Sequence, residues 1–128
     1  MIRRNYDEKL KLVRVEFSGR IDLLKDLKGH FEALREMEKG LNLRVLLTAR
    51  DDFELANPLT AEFAALHIEN RRAAFKGYES YRTAVVTNES FEAAATAFVS
   101  HFLQESPLTL RLFSTEKAAV KWLLSKGD

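Results

Sequence analysis

Two short runs constrain this chain more than anything else in it: LRVLLTAR at 43–50 and YRTAVVT at 81–87. Both are largely apolar, and neither alternates cleanly between polar and apolar positions. A strand with one wet face alternates with period two, whereas a strand covered on both faces does not. Each run is followed by residues that start helices and then by a stretch with helical spacing. Doubly covered strands separated by helices specify an α/β layered fold with a largely parallel sheet.

The remaining segments extend this pattern. Residues 2–6 form a short first strand, and Asp7, Glu8 and Lys9 turn it into LKLVRVEFSGR. There Val13, Val15 and Phe17 alternate with Arg14 and Glu16, so this strand is half-buried, and Ser18-Gly19 ends it. Asp22 caps a helix with a stripe of Leu24, Leu27, Phe31, Leu34 and Met37, stopped by Glu38-Lys39-Gly40-Leu41. The turn RDDFELANPLT leads through Asn57-Pro58 and Thr60 into a helix over about 60–75. Asn88 or Ser90 caps the next helix, with Phe91, Ala94, Ala95, Phe98 and Phe102 on one face, and Ser106-Pro107 breaks it. LTLRLF is the last strand. Ser114 caps the last helix, which Ala119, Trp122 and Leu123 lock onto the sheet, with Trp122 in the core. The expected order is β-β-α-β-α-β-α-β-α: a four- to five-stranded, mixed, mostly parallel sheet packed by about four helices. At 128 residues it fits one domain over 1–128.

Composition narrows the function classes. Lys and Arg number 20 against 19 Asp and Glu, a net charge of +1. No global field steers such a chain to a polyanion, so nucleic-acid binding is disfavoured. The chain has no cysteine, hence no disulfide, thiolate ligand or cysteine nucleophile. The N-terminal MIRRNYDEKL has no apolar core of a signal peptide, and no apolar run approaches the roughly 18 residues of a membrane span. The expected location is the cytoplasm.

At the level of motifs the chain resembles the SpoIIAA-like group of the STAS superfamily, in particular its small bacterial STAS/Sec14-type members. VRVEFSGRIDLLKDL is similar to that family's second strand, Ser/Thr-Gly turn and first helix. YRTAVVT with its following helix is similar to the fourth strand unit, and RLFSTEKAAVKWLL to the closing strand-helix step. The resemblance implies the same layered fold and a non-enzymatic role. Signalling antagonists of this superfamily carry an Asp-Ser-Ser/Thr-Gly motif where the third strand meets its helix. Here that region reads LLTARDDFELANPLTAEF, and Thr60 is its nearest cap hydroxyl. The STAS/Sec14-type relatives imply instead that the helix after the third strand moves and exposes an apolar groove for a lipid-like ligand or a membrane surface.

The residues themselves offer few chemical motifs. His30, His67 and His101 fall on three different helices without metal-ligand spacing, and each is expected half-buried or at the surface. No metal site and no cofactor is expected, and no nucleotide or nucleophile-elbow motif occurs. The Asp51-Asp52 pair with Glu54 is the one acidic cluster that general acid/base chemistry would use; it ranks last. The carboxyl ends of the strands, where ligands favour open α/β sheets, would gather Arg50, Asp51, Asp52, Asn88, Ser90, Ser114 and Thr115.

The helix over 60–75 stands out, because Phe63, Ala64, Ala65, Leu66 and Ile68 make it apolar over more than one face. Its far end mixes Arg71, Arg72, Lys76 and Arg82 with Phe75, Tyr78 and Tyr81, a composition suited to an anionic surface. The candidate ligand- or partner-binding residues are therefore Phe63, Leu66, Ile68, Arg71, Arg72, Phe75 and Tyr78. Thr60, Asn88 and Ser90 are candidate phosphorylation or anion sites at helix N-termini. Two readings stand open: a binding module for a small amphipathic ligand or membrane surface, and a protein partner in a signalling cascade. Val99 and Leu103, beside the main stripe of their helix, add a homodimer contact to the second.

Overall fold

A computed structural model describes residues 1–38, 42–102 and 110–125, the side chains of 101 and 102 excepted. Strand β1 (Ile2–Asp7) runs antiparallel to β2 (Leu12–Phe17). The connecting turn covers residues 8–11, later than the expected Asp7, Glu8 and Lys9. Asp7 Oδ1 accepts from the Leu10 N–H at 2.9 Å, and Lys11 takes a left-handed φ of 56°. A two-residue strand β3 (Arg20–Ile21) follows Gly19, whose φ of +71° suits a residue without a Cβ. Helix α1 (Leu23–Met37) starts at Asp22, whose side chain accepts from the Lys25 N–H.

The doubly covered run forms β4 (Asn42–Ala49), and two-residue β5 (Glu54–Leu55) pairs with β3 in a small second sheet. Helix α2 (Ala61–Ala74) follows, then β6 (Ser80–Val86), α3 (Glu89–Phe102), β7 (Leu110–Phe113) and α4 (Glu116–Leu123). The main sheet has the order β1-β2-β4-β6-β7, parallel except at β1. The fold class and the antiparallel first hairpin are as the sequence led us to expect.

Alternation within each strand sorts the core into two layers. Val13, Val15, Val45, Leu47 and Val85 face α1, α2 and α3 in the larger layer. Leu12, Leu46 and Ala84 meet Ala119 and Leu123 of α4 on the other side.

Several local expectations are corrected. Leu24 is exposed, and half-buried Leu23 packs instead; the helix rotates so that Leu27, His30, Phe31 and Leu34 point inward. Pro58 stands clear of α2, which Thr60 caps by accepting from the Phe63 N–H at 3.1 Å. Of the two candidate caps for α3 it is Asn88 that serves, its Oδ1 accepting from the Phe91 N–H. Ala94 of α3 is exposed, while Ala95 and Phe98 are buried. Thr115, not Ser114, caps α4, accepting from the Ala118 N–H. Trp122 is half-buried rather than core. It leans on Phe113 at 5.7 Å, with the Arg82 and Arg111 guanidinium groups near its ring, so an amphipathic ring covers the edge of the layer. The stop at Lys39, Gly40 and Leu41, the stripe position Phe102, Leu103, the Ser106-Pro107 break and the first residues of LTLRLF lie outside what is described, as does the side chain of His101.

Candidate functional site

Between the main sheet and helices α1, α2 and α3 lies a cavity of about 110 Å³. Its walls are apolar almost throughout: Phe31 from α1, Phe63 from α2, Phe98 from α3, and Leu47, Val85 and Leu112 from the sheet. An engineered apolar cavity of roughly 150 Å³ holds a benzene molecule, so this space suits a small ring or a short chain.

Five polar side chains also line it: His30, His67, Tyr81 and Thr83, and the exposed Asp26. Both histidines are buried, each 9% exposed, deeper than the half-buried or surface placement expected for them. Their burial follows from helix register. His30 sits three residues after Leu27 and beside Phe31 on the inward stripe of α1. His67 is the middle of Phe63, His67, Arg71 and Phe75, spaced by four along one face of α2. Phe31 stands between the two imidazoles, 5.7 Å from His30 and edge-on to His67 at 5.3 Å.

Both histidines are held neutral. Burial pushes the His30 pKa down to about 3, with the Arg4 guanidinium and then His67 adding to the effect. Burial pushes His67 to about 4, with Arg71 adding to it. The geometry at His30 agrees. Its Nδ1 lies 3.2 Å from Arg4 Nε and 3.0 Å from Arg4 Nη2. Arginine can only donate, so Nδ1 accepts and the ring proton sits on Nε2. His67 Nδ1 is buried with no hydrogen-bond partner in the structure, a condition that costs about 1–3 kcal/mol. The Thr83 hydroxyl donates to the Tyr81 hydroxyl at 3.0 Å, and burial raises the Tyr81 pKa, keeping it protonated.

The candidate residues on α2 divide. Phe63 forms cavity wall, and Leu66 and Ile68 are half-buried against the larger core layer. Arg71 and Phe75 are buried toward Tyr81, with the Arg71 guanidinium 5.9 Å from its ring centre and the Phe75 ring stacked on it at 4.6 Å. Half-buried Tyr78 donates its hydroxyl to the Glu38 carbonyl. Arg72 and Lys76 are exposed. Arg82 projects from the opposite face of the sheet, bonded to the Trp122 carbonyl, so the basic-aromatic stretch of the sequence is not one surface patch.

A second concavity lies at the carboxyl ends of β2, β4 and β6. It is an open polar cleft of about 670 Å³ whose walls include Arg3, Glu16, Arg50, Asp51, Asp52 and Asn88. Ser90, Ser114 and Thr115 are not part of its wall, so the expected gathering of polar groups is only partly met. Asn88 is buried and already committed. Its Oδ1 caps α3 and its Nδ2 donates to the Arg50 carbonyl at 2.6 Å, tying the β4 loop to the start of α3. Thr60 and Ser90 are exposed. Among the described residues no three His, Asp or Glu side chains converge as a metal site, and no helix is long and apolar enough to cross a membrane.

The cavity residues escaped the sequence reading in part. Phe63 was singled out, but Phe31, His30, His67, Tyr81 and Thr83 were not seen as one site. The available signal was that both histidines sit on the apolar stripes of their helices.

A comparison with curated proteins returns no match. The model of one protein family, described as SpoIIAA-like, matches residues 12–124, which takes in every element of the main sheet except β1. The chain belongs to the SpoIIAA-like family.

Proposed function

We propose that this STAS-type regulatory and binding domain is a non-enzymatic carrier or sensor that takes a small amphipathic molecule into the cavity beneath α2. One observation carries the reading: a pre-formed, largely apolar cavity with five polar side chains on its wall, four of them buried or half-buried, in the layer that α2 covers. A ligand larger than about one ring requires α2 to swing aside. The segments flanking α2 suit a hinge, with the irregular stretch around Asn57-Pro58 before it and Gly77 at a φ of +94° after it. Once displaced, α2 would present Phe63, Leu66 and Ile68, with Arg71 and Arg72 beside them, to an amphipathic ligand or an anionic membrane surface.

Native mass spectrometry of protein purified from cells tests this. We expect a co-purified small amphipathic molecule that is lost on denaturation and recovered in the organic extract. A bare chain of 14.7 kDa in every preparation counts against the carrier role.

A second reading is a protein partner in a signalling cascade, since SpoIIAA-like domains often take part in protein–protein interactions. The exposed cap hydroxyl of Thr60 and the exposed Ser90, each at the start of a helix, favour it. A phosphate there would meet the free N–H groups of the first turn.

A further inference from the structure

The chemistry of the cavity wall narrows the ligand class. Resting on the carrier reading above, we infer that the cavity selects small, uncharged, ring-sized molecules carrying a single hydroxyl group, with His67 Nδ1 as a partner of that hydroxyl.

The one charged side chain on the wall, Asp26, is exposed to solvent, and the buried remainder of the wall excludes charge. A ligand carboxylate or ammonium buried here would meet mostly hydrocarbon, and burying an unpaired charge is prohibitive. The nearest cations are already engaged, Arg4 with the His30 ring and Arg71 over the Tyr81 ring. A purely apolar ligand is also a poor match, since it leaves His67 Nδ1 buried and unpaired. The two hydroxyl protons of Tyr81 and Thr83 supply one bond between them, leaving one proton unused. The wall therefore offers one nitrogen and one hydroxyl proton without partners, in a space near the size of a benzene ring. A phenolic or alicyclic hydroxyl both donates and accepts, and its ring fills the apolar remainder.

The probes are phenol and toluene, nearly equal in shape and differing in one hydroxyl. In an apolar hole toluene wins, because phenol gives up its bonds to water. We expect phenol to bind the wild-type protein at least as tightly as toluene, and His67→Leu to swing the ratio toward toluene by about tenfold or more, the worth of one hydrogen bond to a buried partner. His67→Asn, which keeps a polar atom near the Nδ1 position, is expected to retain the phenol preference. Should His67→Leu not fold, the side-chain nitrogen resonances of the wild type decide: phenol moves His67 Nδ1 and toluene leaves it in place.

Toluene binding well ahead of phenol in the wild type, or an unchanged ratio in His67→Leu, overturns the inference and leaves the cavity reading standing. Neither probe binding overturns the cavity reading itself.

Discussion

Acidifying this protein from about pH 6.5 to pH 4 is expected to remove about 6 kcal/mol of folding stability through two side chains, since each pH unit is worth about 1.4 kcal/mol per histidine. His30 and His67 titrate near 3 and 4 in the fold, against 6.5 for a free histidine. Between those limits the unfolded chain binds protons that the folded chain refuses. Folded pKa values lie below unfolded ones, so stability rises with pH across the window and levels off above about 7. By pH 4 each histidine has cost about 3 kcal/mol, and a domain of this size has only about 5–15 kcal/mol in all. Urea unfolding at a series of pH values reads the effect directly. Around pH 5 the two histidines are expected to contribute about 3 kcal/mol per pH unit to the slope, and His67→Leu to remove about half of that contribution. A stability flat between pH 5 and 7 would mean that the imidazoles reach solvent.

The second large effect is at Phe31. Its ring is 2% exposed and meets His67, Phe75 and His30 within 6 Å. Phe31→Ala is expected to cost about 3–5 kcal/mol, at the upper end because the space left joins an existing cavity that has not collapsed. The same change makes room for ligand. At a hundredfold excess over its dissociation constant, toluene is expected to return about 2.7 kcal/mol. Leu123→Ala, on the α4 side of the sheet, serves as the comparison: it leaves the cavity beneath α2 at its wild-type size, so at the same toluene concentration it recovers no more than the wild type gains, and less than Phe31→Ala. A loss below about 1 kcal/mol at Phe31, or equal recovery in both variants, would contradict the account.

Much of the fold was legible because its signals are local. Strands β4 and β6 are covered on both faces, so their apolar runs read as interior strands without further context. Asp22 and Thr60 cap where short oxygen-bearing side chains precede an apolar stripe. The misreadings are also local. Leu24 and Leu23 lie on adjacent spokes of α1, and composition alone does not choose between them. Ser114 and Thr115 are neighbouring hydroxyls of equal capping chemistry. The two-residue pairing of β3 with β5 is too short to leave a pattern.

The site was less legible because it is assembled across distance. Arg4, His30, His67 and Tyr81 come from four elements, and no spacing in the sequence brings them together. Histidine also counts as polar in any hydropathy pattern, so two imidazoles on apolar stripes read as half-buried or surface positions. What turns them inward is the packing of α1 against α2 around Phe31.

The most direct measurement is a toluene titration followed by methyl resonances. The cavity account predicts saturable shifts at Leu47, Val85 and Leu112 on its wall, with Leu12, Leu46 and Leu123 of the opposite layer unmoved. Shifts spread evenly over both layers, or none at all, would contradict it.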